Sequence, residues 1–321
     1  MIAALAEAEA LFGRMLDGAM SDDAIAETLV AIADRGETAV EVAGLVHAMR
    51  ARMKRVSAPA GAIDVCGTGG DGQHSVNVST AVALVVAACG VPVAKHGNRA
   101  ASSLAGGADT LEALGLNLAH ASDLAEQTLP DLGIAFLFAP AHHPALGRVA
   151  PIRKALGRRT IFNLCGPLAN PAGVTRQLVG VAHPSLIALY RDAMALLDTE
   201  TALIVSGAEG LDELSIAGAS YMAAIGIDGM AAEIRPEDAG LPSHDLSALR
   251  GGDAAFNAAA LRALLLGEAG AYRDAVLLNS AAALLVAGQA NDWFEGVEEA
   301  AEAIDKGLAK ALLDCWIETV K

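Results

Sequence analysis

Four glycines, Gly67, Gly69, Gly70 and Gly72, fall within six residues directly after the strand-like run Ala62-Ile63-Asp64-Val65-Cys66. Backbone N–H groups at such a turn can converge without Cβ obstruction, which is how a chain wraps a phosphate. Asn77-Val78-Ser79-Thr80 then opens the apolar run from Ala81 to Ala88, and Gly90 closes it. Hydroxyls and free N–H groups are thereby set at a helix N-terminus, where the dipole favours an anion. A second strand-like run, Val91-Pro92-Val93-Ala94, delivers Lys95, His96, Asn98 and Arg99 at its end. Loops from neighbouring parallel strands meet on one edge of an open α/β sheet, the usual place for a ligand. The spacing is neither G-x-G-x-x-G nor G-x-x-x-x-G-K-[ST], so neither a dinucleotide fingerprint nor a Walker loop is indicated. A glycine-rich turn alone is about as often structural as functional. The two cations, imidazole and amide of the second loop favour an anion site.

Asp212 and Glu213 are adjacent carboxylates after the run Ile204-Val205-Ser206-Gly207. Such a pair suits a hard cation such as Mg²⁺, which keeps waters and shares phosphate oxygens. A solvated acidic turn is the bland alternative. Arg153 carries a fork that matches a carboxylate, but other basic residues surround it and sequence does not choose among them. His142 and His143 are adjacent, which is poor chelating geometry, so a structural or substrate-channel loop is the reading there. Asp71 and His96 lie in the right loops for proton transfer, yet no general base is assigned. Catalysis is read as positioning and electrostatics.

The elements that must hold these groups are legible in outline. Residues 1 to about 56 read as three or four helices, with Ser21 capping the run from Asp22 to Asp34 and Gly36 ending it. Thr38 with Glu41 makes a capping box before the next helix. Ser57-Ala58-Pro59-Ala60-Gly61 is a linker. From Ala62 strand and helix patterns alternate, with Ile134 to Phe138, Leu178 to Val181 and Ala202 to Val205 as further strands. Asp109 with Glu112 caps a helix ended by Gly115, Val149 to Leu156 is another, and Tyr221 to Ile234 reads as a strand pair. Three helices fill most of the chain from Asp253 onward. The fold class is α/β, a mainly parallel sheet flanked by helices preceded by a small all-helical domain. Domain borders are 1–60 and 61–321.

The 321 residues are 54% hydrophobic but only 3% aromatic, so the core must be Ala, Leu, Val and Ile. That composition suits helices layered on a parallel sheet. No uninterrupted apolar stretch approaches the roughly 18–20 residues of a membrane helix, and the acidic N-terminus does not read as a signal peptide. Cys66, Cys89, Cys165 and Cys315 lack metal spacing and read as free thiols, which favours the cytoplasm. A net charge of −16 argues against nucleic-acid binding. Any phosphate site must therefore be a local cluster of cations.

In order, GTGGDG, NVST, KHGNRAASS, FAPAHHPAL, APIRKALGRRTIFNLCGPLANP and LDELS resemble the anthranilate phosphoribosyltransferases of tryptophan biosynthesis, from about Asp64 to Ala287. The resemblance implies transfer of a phosphoribosyl group from 5-phosphoribosyl 1-diphosphate to the amine of anthranilate, with release of pyrophosphate. It implies diphosphate-substrate contacts at Gly67, Gly70, Asp71, Ser75, Asn77, Val78, Ser79 and Thr80. Further contacts run through Lys95, His96, Gly97, Asn98, Arg99, Ala100, Ala101, Ser102 and Ser103 to Gly107. Gly67, Asn98 and Arg153 would contact anthranilate. Ser79, Asp212 and Glu213 would hold Mg²⁺, as two ions; Ser79 without the resemblance reads as a plain helix cap. The implied fold is of nucleoside phosphorylase/phosphoribosyltransferase type, with helices from about 142–185 returned to the small domain and a homodimer formed through it.

Three departures from the family pattern stand out: Ser75 for threonine, Leu104 for lysine, and Gly107 for serine or alanine. The first keeps the hydroxyl; the other two leave the far edge of the second loop to backbone N–H groups. A pyrimidine nucleoside phosphorylase would share the fold but differs from KHGNR and LDEL. A nucleic-acid-binding paralogue would need a basic face. An enzyme for another aromatic amine is a third alternative, and Asn98 with Arg153 keeps anthranilate first.

Overall fold

Caps fix the first helices. The computed structural model describes residues 1–100 and 104–321. Helix α1 (Ile2–Leu16) is followed by α2 (Asp22–Arg35), where Ser21 accepts the Ala24 N–H and Gly36 ends the helix. The Thr38–Glu41 box starts α3 (Ala39–Arg50). Three helices, not four, precede the sheet.

Alternation then sets in: β1 (Ile63–Gly67), α4 (Val78–Ala88), β2 (Val93–Gly97), α5 (Gly107–Leu114), α6 (Leu118–Asp123), α7 (Ala125–Leu132) and β3 (Ile134–Phe138). Asp109 sits inside α5, where its carboxylate accepts the Gly106 and Ala100 N–H groups, each at 2.9 Å. The cap is thus supplied from the third residue of the helix, and Gly106 occupies the cap position. Three short helices follow, α8 (Ala139–His142), α9 (Ala150–Leu156) and α10 (Phe162–Cys165). Then come β4 (Arg176–Gly180), α11 (Ile187–Met194), β5 (Thr201–Gly207), β6 (Ser220–Ile225) and β7 (Glu233–Ile234). The chain ends in α12 (Ala254–Leu265), α13 (Ala271–Ala287), α14 (Trp293–Asp305) and α15 (Leu308–Thr319). These are four helices where the sequence reading expected three. Gly267, Gly288 and Gly307, with φ of +91°, +72° and +70°, make three breaks in the run.

The strands form one sheet in the order β3-β2-β1-β4-β5-β6-β7. The first five are parallel; β6 and β7 add an antiparallel edge. Strand alternation divides the side chains of β4 and β5 between two cores. Leu178, Leu203 and Val205 face a core built with α4, α13 and the other C-terminal helices. Val179, Val181, Ala202 and Ile204 face a second core that also holds Phe12, Ile25 and Leu45 of α1–α3. Val149, Ile152, Phe162, Leu168 and Tyr190 belong to the same second core. The N-terminal helices therefore bury their apolar stripes against the middle of the chain and one face of the sheet.

Candidate active site

The glycine turn leaves β1 at its carboxyl end and meets the loop that follows β5. Gly67 pairs in register with Gly180 of β4, and the Asp212 backbone and side chain lie across both. A Cβ on Gly67 would sit 2.2 Å from Asp212 Oδ2, and one on Gly180 would sit 1.6 Å from the Asp212 carbonyl oxygen. The two glycines form a slot that only bare backbone permits. In that slot Asp212 Oδ2 accepts the Gly69 N–H at 2.7 Å. Past it, the backbone N–H groups of Gly70, Asp71 and Gly72 have no acceptor among the described residues. Three neighbouring free donors on a turn with positive φ at Gly70 and Gly72 make an anion nest.

The second half of this loop is braced from behind. Ser75 bridges to Arg250, the Val76 N–H donates to Leu249 O at 2.8 Å, and the Gly251 N–H donates to His74 O at 2.8 Å. Val78 opens α4 with its N–H donated to Val76 O, and Thr80 is buried. The Ser79 N–H donates to Glu213 Oε1 at 3.1 Å, so a carboxylate lies at the N-terminus of α4. Glu213 itself is fixed by its neighbour, because Leu214 exchanges backbone hydrogen bonds with the Asn279 amide of α13.

In the second loop the two cations that favour an anion site in the sequence are both engaged by protein groups. Lys95 is buried, and its ammonium donates to Val65 O at 2.7 Å. It lies close enough to Asp64 and Glu213 to favour both as anions. Arg99 turns outward and pairs with Asp109 and Glu112 while its guanidinium lies over Phe138. Asn98 is exposed, with Oδ1 accepting the Arg99 N–H. Gly97 ends β2, the Ala100 N–H is taken by Asp109, and Gly107 opens α5. Ala101, Ser102 and Ser103 lie outside the described residues.

Sequence reasoning gave Asp64 no role and missed Asn170 altogether. Asp64, wholly buried in β1, accepts the His96 N–H at 3.1 Å and the Asn170 amide at 2.7 Å. Burial pushes its carboxyl up to about 6, with the Lys95 charge pulling the other way. It anchors the strand end that carries His96 to the loop near residue 170. A strand aspartate between apolar neighbours was the available signal.

His96 closes toward the middle of the chain. Its Nδ1 lies 3.0 Å from Gly166 O, and its ring centroid is 5.1 Å from that of His143. The Nε2 atoms of His96 and His143 are buried without a partner among the described residues. Burial first, and the facing His143 next, hold the His96 ring at about 3; burial holds His143 at about 4. Both rings are neutral near pH 7. His142 is separate, with Nδ1 against Lys54 O. On the far side of the same segment, Arg153 reaches Asn163 Oδ1 at 3.4 Å and lies 5.2 Å over the Phe162 ring. It pairs with no carboxylate among the described residues. The Asn163 to Gly166 stretch thus joins a half-buried unpaired guanidinium to two neutral imidazoles.

The acidic corner fits a cation. Burial pushes the Asp212 and Glu213 carboxyls above the carboxylate range, and Asp71 beside Asp212, then Asp212 beside Glu213, push further. Glu213 Oε2 has no hydrogen-bond partner among the described residues. No three-ligand side-chain cage preexists among those residues, which suits an ion that completes its shell with water and substrate phosphate.

This architecture defines a class before it defines a reaction. Residues 60–310 match the glycosyl transferase family a/b domain, and residues 4–53 match the helical bundle domain of the same family. Anthranilate phosphoribosyltransferase of Novosphingobium aromaticivorans is 66% identical over 318 residues, 98% of this chain and 96% of the relative. The Thermus thermophilus anthranilate phosphoribosyltransferase structure superposes with a TM-score of 0.93 at 41% identity, covering 98% of this chain and 94% of that one. The Saccharomyces cerevisiae enzyme, solved in complex with PRPP and Mg, gives a TM-score of 0.87 at 29% identity, covering 98% and 92%. The chain belongs to the anthranilate phosphoribosyltransferase family.

Proposed function

We infer that this site transfers the 5-phosphoribosyl group of 5-phospho-α-D-ribose 1-diphosphate to the amine of anthranilate. The products are N-(5-phosphoribosyl)anthranilate and pyrophosphate, a step of L-tryptophan biosynthesis. The observation that carries the reading is the anion nest at Gly70–Gly72 lying beside the Asp212–Glu213 pair at the N-terminus of α4. An electron-poor ribose C1 and a departing diphosphate develop opposite charges, so fixed donors and cations lower the barrier by electrostatics. The nest and the first turn of α4 hold the diphosphate, and the braced segment 75–80 holds the ribose. Ser79, Asp212 and Glu213 hold Mg²⁺, two ions in this proposal. The bound ion supplies positive charge to the leaving diphosphate.

Arg153 takes the anthranilate carboxylate, with Asn98 and Gly67 closing the approach to C1. His96 and His143 offer neutral ring faces beside it. The amine forms its bond to C1 as the C1–O bond breaks, and it is already neutral near pH 7. No residue is assigned as its base.

The helical unit of residues 1–60, joined by helices from about 142–185, is proposed as a domain and as the homodimer face. Exposed Met1 and Ile2 at the start of α1 support that face. We place the enzyme in the cytoplasm, in keeping with four free cysteines. No described helix is long and apolar enough to cross a membrane.

The test is purified protein with Mg²⁺ and phosphoribosyl diphosphate, offered anthranilate in one arm and, in the other, thymidine plus phosphate without the diphosphate ester. Pyrophosphate release that depends on anthranilate is the expected result. Thymidine phosphorolysis without anthranilate transfer would overturn the reading.

A further inference from the structure

Asn77 stands at the N-cap position of α4. Its side chain does not cap that helix. Instead Asn77 Oδ1 accepts the Asn257 amide at 3.0 Å and the Thr110 hydroxyl, while Nδ2 donates to Ala105 O at 3.2 Å. The Asn77 carbonyl accepts the Tyr272 hydroxyl at 3.1 Å. One residue therefore ties together the first loop, the α5 end of the second loop, and helices α12 and α13. Asn257 is doubly committed, because its Oδ1 accepts the Gly252 N–H at 2.9 Å. The segment just before Gly252 is the one that braces residues 74–76 through Leu249 and Gly251. A second tie, His244 to Asp274 at 2.6 Å, fastens that brace to α13.

Thr110 is wholly buried and Asn257 nearly so. In such surroundings a network is specified tightly, since a lost partner leaves an unsatisfied polar group. The helix start at Val78–Thr80 follows directly on Asn77, so displacement of this node moves the donors aimed at the diphosphate substrate.

We propose that Asn257, Tyr272 and Thr110 are positioning residues that act through Asn77 to hold both phosphate loops in one register for the phosphoribosyl diphosphate. The proposal rests on the reaction inferred above. None of the three touches the reacting atoms. Their loss weakens the diphosphate substrate first and the acceptor far less, because Arg153, which takes the anthranilate carboxylate, stands on α9 outside both loops, and only Asn98 and Gly67 among the acceptor contacts lie on them.

The test uses the full chain with Tyr272→Phe, Asn257→Ala and Thr110→Val, and with Thr110→Ser, which restores the hydroxyl. Steady-state KM is measured for each substrate, alongside calorimetric titration with phosphoribosyl diphosphate and Mg²⁺ and a thermal midpoint. The first three variants should raise KM and Kd for the diphosphate substrate by roughly three- to ten-fold, the range of one lost hydrogen bond. KM for anthranilate should stay within about two-fold, and Thr110→Ser should behave as the parent. Equal changes in both KM values, or a shift in thermal midpoint alone, would reduce the node to fold stability and overturn the proposal. A parent protein that binds the diphosphate ester but transfers nothing to anthranilate sinks the reaction, while calorimetry still tests the node. A parent that does not bind the ester overturns both.

Discussion

Gly180→Ala is a sharp test of the slot that seats Asp212. The substitution adds one methyl group to a β4 residue that no sequence reading placed in the site. That methyl carbon would lie 1.6 Å from the Asp212 carbonyl oxygen and 2.5 Å from its carbonyl carbon. An unstrained carbon–oxygen contact is about 3.4 Å, so the segment must move by about 1.8 Å. No rotamer change relieves the clash, because both atoms are backbone. Gly180 also pairs with Gly67, so the β4 strand cannot give way without disturbing β1. Misplacement of about 1 Å can cost 100-fold in rate, and the displaced group here carries the Gly69 hydrogen bond. We expect kcat/KM to fall at least 100-fold by that estimate, with a folded circular dichroism spectrum. The assay is initial-rate pyrophosphate release with both substrates near saturation and below it. Gly218→Ala is the control, since a Cβ there meets nothing within 4 Å. Parent-like kcat/KM in folded Gly180→Ala would refute the argument that Asp212 needs this seat.

Asp212→Asn and Glu213→Gln should each abolish most activity and remove the divalent-cation requirement from binding titrations. Because both carboxyls are already crowded, the thermal midpoints of the metal-free variants should hold or rise; turnover by the parent in excess chelator would sink the metal role. Arg153→Ala should raise KM for anthranilate by roughly ten- to a hundred-fold, from a charge-assisted pair of about 1.5–3 kcal/mol. A selective effect on the diphosphate substrate instead would move Arg153 to the phosphate side. His143 is neutral in the fold and held at about 4 by burial, whereas the unfolded chain takes up that proton below roughly 6.5. Stability from this group is therefore full above pH 6.5 and lost as pH falls toward 4. Relative to His143→Gln, the parent should lose roughly 1–2 kcal/mol between pH 7 and pH 5 in denaturant titrations. A pH-independent difference would show that His143 titrates normally.

Local rules were readable wherever the physics was local. Ser21, the Thr38–Glu41 box and the apolar β3 run announced their elements because capping, and a short unbroken apolar run buried on both faces, act within a few residues. The glycine turn and the acidic pair announced a site for the same reason. Orientation was not local. Lys95 points inward to Val65 and Arg99 outward to Asp109 and Glu112, a choice set by residues 30 positions back and 10 or more ahead. Asp64 meets Asn170, and Asn77 meets Asn257, across separations of 106 and 180 residues. Side chains of the right chemistry were visible, but their partners were fixed only when the sheet assembled.

The second core has a consequence for how the chain is made. Helices α1–α3 are among the first parts synthesised, yet their apolar stripes are covered by Val149, Phe162, Tyr190, Leu197 and Ile204. Those partners are translated roughly 100 to 190 residues later, a wait of roughly 5–40 s at ordinary elongation rates. Through that interval Phe12, Ile25 and Leu45 have only the other apolar residues of α1–α3. The N-terminal helices are thus born without their permanent cover. Completion of this second core waits for translation of the middle of the chain, and until then its apolar stripes stay open to aggregation.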